Sequence, residues 1–151
     1  MSKILLKDAL LVTHDRIIRN DLLIEGNIIA KIGNNLSDSE AKVLDCHEQI
    51  VFPGLIDEHV HFREPGMTQK ATIYSESRAA VLGGVTSFLD MPNNNPSTTT
   101  MDLVNAKKDI ARRDSVANFG FYLGATDDNL EEIKKAPVNE IAGIKVFMGS
   151  S

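Results

Sequence analysis

From Pro53 onward the chain alternates short apolar runs with segments of helical periodicity, and this alternation restricts the fold more than any other feature of the sequence. The runs at 55–60, 85–91, 118–123 and 142–147 have strand length, and 71–82, 100–114 and 129–135 read as helices between them. Strands separated by helices are the pattern of βα units and a parallel sheet. Ala79 and Ala80 let the first helix approach a sheet closely, and Gly83-Gly84 ends it directly before the second strand. The second helix takes Thr99 or Thr100 as its N-cap and carries Leu103, Ala106 and Ile110 on one face. Four strands and three crossovers amount to half of a (β/α)8 barrel, which typically needs about 250 residues. The expected fold class is therefore α/β, the first half of a TIM-type barrel, with 53–151 supplying the first four βα units of a longer polypeptide. A half-barrel that stopped there would expose apolar surface and an unpaired parallel edge.

Before Pro53 the texture differs. Short β-type runs are broken by turn residues, and 22–24 and 28–32 flank Glu25-Gly26-Asn27 as a hairpin. Residues 1–52 thus read as a small, sandwich-like all-β accessory domain. No repeat of fixed period is present, and the most biased stretch is the polar loop from Asn93 to Thr100. With 151 residues and 42% hydrophobic content the chain can bury one sizeable core. A net charge of −5 and a pI near 5.3 give no general attraction to nucleic acid or to anionic membranes, so a small-molecule partner is expected. The N-terminal apolar run is broken at Lys7 and Asp8, too early for a signal-peptide core. No stretch approaches the roughly 18 apolar residues of a membrane span, which points to the cytoplasm. Cys46 is the only cysteine, so no intramolecular disulfide can form, and burial as a small hydrophobe is its expected role.

The chemistry gathers where a barrel keeps its active site, at the C-terminal ends of the strands. His59 and His61 close the first strand, Asn93 follows the second, and Lys145 lies on the fourth. Histidines two apart on a strand share a face, separated by roughly 6–7 Å, so both imidazoles can converge on one metal ion. The plainer reading is a pair of strand histidines serving hydrogen bonds, and the convergence of other polar residues at the same ends weighs against it. Asp57 shares that face and either orients a ligating imidazole or satisfies nearby backbone donors. Arg63 suits bidentate capture of a substrate carboxylate, although Glu64 beside it also fits a solvated surface cation. The amide of Asn93 can donate to the same carboxylate, or serve only the turn that Asn-Asn-Asn-Pro signals. Lys145 is a lone cation in an apolar run. Burial there requires it to lose its charge, find a partner or snorkel to the strand end. A neutral amine at that position can take up carbon dioxide, giving a carbamate able to bridge two metals.

Three motifs occur together: Pro53-Gly54-Leu55-Ile56-Asp57-Glu58-His59-Val60-His61-Phe62-Arg63-Glu64-Pro65-Gly66, Ala79-Ala80-Val81-Leu82-Gly83-Gly84-Val85-Thr86, and Asp90-Met91-Pro92-Asn93. Jointly they resemble the cyclic amidohydrolases of the metal-dependent amidohydrolase superfamily, and among these most closely the dihydroorotases. The resemblance runs from about Val51 to the last residue and is looser over the N-terminal β segment. It implies that His59, His61 and a carbamylated Lys145 ligate two zinc ions, and that Arg63 and Asn93 hold the substrate carboxylate. Allantoinases typically carry Asn where Arg63 stands and a Leu between the Pro and Asn of the second-strand motif. Hydantoinases and dihydropyrimidinases generally lack both the Arg-Glu-Pro-Gly run and Met-Pro-Asn. Some bacterial dihydroorotases have an aspartate in place of Lys145.

The reaction so implied is the reversible cyclisation of N-carbamoyl-L-aspartate to dihydroorotate in de novo pyrimidine biosynthesis. Metal-assisted opening and closing of a cyclic amide needs a carboxylate to move a proton to the leaving nitrogen. The family draws that aspartate and two further histidines from later strands, beyond Ser151. Neither Asp127 nor Asp128 matches the position, so the catalytic group has no candidate here and residues 1–151 alone are expected to be inactive. Two other readings compete: an allantoinase or hydantoinase type of cyclic amidohydrolase, and a catalytically silent homologue serving as an assembly partner. Retention of His59, His61, Arg63, Asn93 and Lys145 together counts against the silent homologue. Imidazole and carbamate ligands would also accept cobalt, manganese or iron. A homodimer is expected from the prevalence of two-fold symmetry alone.

Overall fold

In the computed structural model, which describes residues 2–149, the chain parts into two compact units at the Pro53–Gly54 bond. In the first unit β1 (Lys3–Val12) and β2 (Ile17–Glu25) pair antiparallel. The expected hairpin follows, with Gly26 at φ 61° turning the chain into β3 (Ile28–Gly33). Two short strands, β4 (Lys42–Asp45) and β5 (Ile50–Val51), then run parallel to successive halves of β1. Cys46 is buried with Ala9, Leu11 and Leu22, as a small hydrophobe would be.

The second unit is a four-stranded parallel sheet in the order β6 (Leu55–Val60), β7 (Val85–Asp90), β8 (Asn118–Gly124) and β9 (Gly143–Lys145). Three helices provide the crossovers: α1 (Ile73–Leu82), α2 (Met101–Asp114) and α3 (Leu130–Lys135). This is the α/β class and the βα succession that the sequence implies, a curled half-barrel sheet. The fourth strand is shorter than its apolar run, because β9 retains only the three residues that pair with Tyr122–Gly124.

Local chemistry sets each helix. Thr72 is extended and caps α1 through a reciprocal box with Ser75, so α1 begins two residues later than its periodicity suggests. Gly83 caps its C-terminus, and Gly84 at φ +87° turns the chain into β7. Of the two alanines only Ala80 packs against the core, while Ala79 is exposed. In α2 the Thr100 hydroxyl accepts from the Leu103 amide, which resolves the choice of N-cap. Its buried face is only partly the expected one: Ile110 packs against the core and Leu103 is partly buried, but Val104, Lys107 and Ala111 are the fully buried residues and Ala106 is exposed. A lysine, which pattern reading assigns to solvent, occupies the inner face.

The core lies between sheet and helices. Phe62, Phe88 and Phe121 interlock there with Ile73, Val104, Ala111 and Leu123, the Phe62 and Phe88 rings 4.3 Å apart and Phe88 meeting Phe121 edge-on at 6.4 Å. No helix among the described residues is long and apolar enough to cross a membrane. Because Phe88 is fully buried at the centre of this cluster, Phe88→Ala is expected to destabilise the fold by about 3–5 kcal/mol. Equilibrium unfolding in urea would measure the loss, and a change under about 1 kcal/mol would refute this account of the core.

Candidate active site

Strand β6 delivers the histidines. His61 follows its last residue, and the His59 and His61 rings stand 5.3 Å apart between centroids, tilted by 53°. That separation suits two ligands of one ion. Asp57 does not touch either ring; its Oδ1 accepts from the backbone N–H of His59 at 3.1 Å, so of its two readings the backbone one applies. Across the sheet, the Tyr122 hydroxyl on β8 donates to the Glu58 carbonyl at 3.1 Å and ties β6 from above.

His61 is oriented by the loop that follows β7. Its Nδ1 lies 2.7 Å from Asn93 Oδ1, and since a carbonyl oxygen can only accept, Nδ1 carries the proton. In the neutral ring the opposite nitrogen, Nε2, then carries the free lone pair, the form in which an imidazole binds a metal. Asn93 retains two amide protons on Nδ2 for a further acceptor. The donor set thus fits a divalent metal as far as it goes, although among the described residues no group of three His, Cys, Asp or Glu side chains converges.

Arg63 sits in the next loop with left-handed backbone, φ 64°. It is half-buried, and among the described residues no carboxylate pairs with it. Glu64 is engaged elsewhere: its Oε2 accepts from the backbone N–H of Ile73 at 2.8 Å and so fastens the loop to the start of α1. Glu64 is thus not an ion-pair partner of Arg63, whose guanidinium is half-buried on the loop that leaves His61. Gly66 closes the loop at φ +85°, where a Cβ would come within 1.8 Å of the Asn95 carbonyl oxygen.

Beneath both loops lies a polar cluster that periodicity does not reveal. Asp90, the last residue of β7, and Lys107 of α2 form an ion pair at 2.6 Å with side chains 0% exposed. Asp90 Oδ1 accepts from the Phe62 N–H at 2.9 Å. Lys107 Nζ donates to Asn94 Oδ1 at 2.7 Å and approaches the Met91 carbonyl at 3.2 Å. Asn94 Nδ2 in turn donates to the Glu64 carbonyl at 3.0 Å. Burial pulls the Lys107 ammonium below the ordinary lysine range, and the carboxylate of Asp90 opposes that shift. The one sequence signal was a lysine falling between Val104 and Ala111 at helical spacing.

Lys145 is not gathered with the others. It lies half-buried on β9, at the opposite edge of the sheet from β6, with Nζ 5.2 Å from the Phe147 ring centroid. Past the C-terminal ends of β7, β8 and β9 a cavity of about 260 Å³ opens onto Asn93, Thr99, Thr126 and Phe147. The structure therefore joins His59, His61 and Asn93 in one cluster with Arg63 on the adjoining loop, and places Lys145 on the strand at the other edge of the sheet.

A half-barrel with histidines at the end of its first strand matches a known family. Residues 50–150 fit the profile of the amidohydrolase family, and the chain belongs to that family. It is 39% identical over 153 residues to a dihydroorotase of Methanosphaera stadtmanae, covering 98% of this chain and 34% of the relative. It is 36% identical over 149 residues to an allantoinase of Deinococcus radiodurans, covering 98% and 33%. Among solved structures, an L-hydantoinase (dihydropyrimidinase) from Arthrobacter aurescens superposes with a TM-score of 0.93 at 33% identity, over 100% of this chain and 34% of that one. The chain spans about a third of the length of these relatives.

The close approach at Gly66 gives a test of the loop that presents Arg63. Gly66→Ala is expected to cost roughly 1–3 kcal/mol through backbone strain alone, read as a lowered midpoint in denaturant. An unchanged midpoint would mean that the loop does not cross Asn95 so closely.

Proposed function

We propose that this chain belongs to a zinc-dependent dihydroorotase, which interconverts N-carbamoyl-L-aspartate and dihydroorotate in pyrimidine biosynthesis. The observation that carries the proposal is Arg63, a half-buried guanidinium with no carboxylate partner among the described residues, on the loop that leaves His61. A half-buried cation held there is stabilised by an anionic substrate, and dihydroorotate has the free carboxylate that a hydantoin lacks.

Each residue has a distinct task. His59 and His61 are the metal ligands, with His61 held in its metal-binding tautomer by Asn93. Asn93 then plays two parts, because Oδ1 is taken by His61 while Nδ2 can donate to the substrate carboxylate beside Arg63. Carbamylated Lys145 would supply the bridge between two ions. When bound, zinc would acidify a water and polarise the ring carbonyl. The proton-shuttling carboxylate is drawn from outside residues 1–151. A small-molecule partner and a cytoplasmic setting agree with this chemistry.

A hydantoin-type substrate is the second reading, favoured by the similarity to the L-hydantoinase structure. Kinetics on the full-length polypeptide that contains this sequence separate the two. Arg63→Ala should lower kcat/KM for dihydroorotate by roughly 2–5 kcal/mol in transition-state binding and leave any hydantoin or allantoin turnover nearly unaltered. An equal loss on all three substrates would remove Arg63 from carboxylate recognition. Chelation should abolish turnover of dihydroorotate and zinc should restore it. A polypeptide ending at Ser151 should show none, and measurable hydrolysis by it would contradict the assignment of the proton shuttle to a later segment.

A further inference from the structure

We infer that the buried Asp90–Lys107 pair is a positioning device for the candidate metal site, holding the His61–Asn93 hydrogen bond from both of the loops that form it. The inference rests on the proposed role of His61 as a metal ligand. Its basis is where the polar atoms of the pair are directed. Asp90 Oδ1 takes the N–H of Phe62, the residue after His61. Lys107 reaches the carbonyl of Met91 and the side chain of Asn94, the residues that bracket Pro92-Asn93. Asn94 closes the ring by donating to the Glu64 carbonyl, next to Arg63, and its Oδ1 also receives the Thr98 hydroxyl at 3.3 Å. Every contact therefore ends on, or one residue away from, a loop carrying His61, Arg63 or Asn93.

Packing alone does not account for such a pair. Two charges wholly removed from water carry a desolvation penalty that their attraction does little more than offset, and apolar residues of similar volume commonly serve a core as well or better. What an ion pair adds is direction. Loop backbones are otherwise free to shift, and the carboxylate and ammonium each specify the position of a backbone group to within hydrogen-bond tolerance. The Phe121 ring, 4.7 Å from Lys107 Nζ, and the Phe62–Phe88 stack keep water from competing for these contacts. Neither Asp90 nor Lys107 hydrogen-bonds to His59 or His61, so they act through Phe62, Met91 and Asn94 as positioning residues.

The test compares the parent full-length polypeptide with the double variant Asp90→Asn/Lys107→Met, which removes both charges while conserving volume, and with Asn94→Ala, which cuts the same network from the loop side. Zinc affinity would be measured by competition with a chromophoric chelator, well below the melting temperature. The His61 tautomer would be read in the metal-free protein from imidazole ¹⁵N shifts. We expect zinc binding to weaken on the order of 10-fold in both variants, and the single Nδ1–H tautomer of the parent to become a mixture, with circular dichroism unchanged. A folded double variant that binds zinc within twofold of the parent and keeps the parent tautomer would overturn the inference and leave the pair a packing element. Should the double variant fail to fold, Asn94→Ala decides the matter by the same two readouts. A parent that binds no zinc would instead overturn the proposed function, and the tautomer comparison would still support or overturn the positioning role.

Discussion

The ion pair between Asp90 and Lys107 is the contact on which the rest of the barrel unit turns, because it joins a strand end, a helix and two loops at one buried point. It lies directly below the residues proposed to do chemistry. Strand β7 ends at Asp90, and the loop beyond it must supply Asn93 to a histidine that leaves a different strand. Two loops can hold a 2.7 Å contact between them only if both are referred to the same fixed support. The aromatic cluster around Phe88 provides the rigid floor, and the ion pair supplies the directional contacts that apolar packing lacks.

The loop around Arg63 shows how a cation can be left without an anionic partner by its neighbours. Glu64 is the nearest anion in sequence and the natural candidate to neutralise it. The fold diverts Glu64 to the first amide of α1, where the helix dipole favours a negative charge. Arg63 is thereby left half-buried and unpaired among the described residues, while Gly66 brings the same loop against the backbone of Asn95. Relatives named for dihydroorotate, allantoin and hydantoin chemistry share this scaffold at comparable identity. Overall similarity does not discriminate between them.

Some of this architecture is readable from residue patterns. The positions of β6, β7 and β8, the hairpin at Gly26, the glycine end of α1 and the threonine cap of α2 follow from local rules in which each residue acts on its immediate neighbours. The pairing of His59 and His61 follows in the same way from the two-residue repeat of a strand. Periodicity locates Ile110 on the packed side of α2 but counts Lys107 as polar, and only a buried partner contributed by a strand makes Lys107 an inner residue. Asp57 illustrates the same limit on a smaller scale: its position on the strand permits two roles, and the hydrogen bond to the His59 amide selects one.

What the sequence determined by itself is therefore the succession of elements and the kinds of side chain placed at their ends, since propensity, capping and period are properties of contiguous residues. The tertiary structure alone decided which of those side chains meet. His61 and Asn93 are 32 positions apart, and Asp90 and Lys107 are separated by the whole loop and half of a helix. Contacts over such separations depend on strand register and helix rotation. Those are set by how the core packs as a unit, and a local pattern of residues does not encode them.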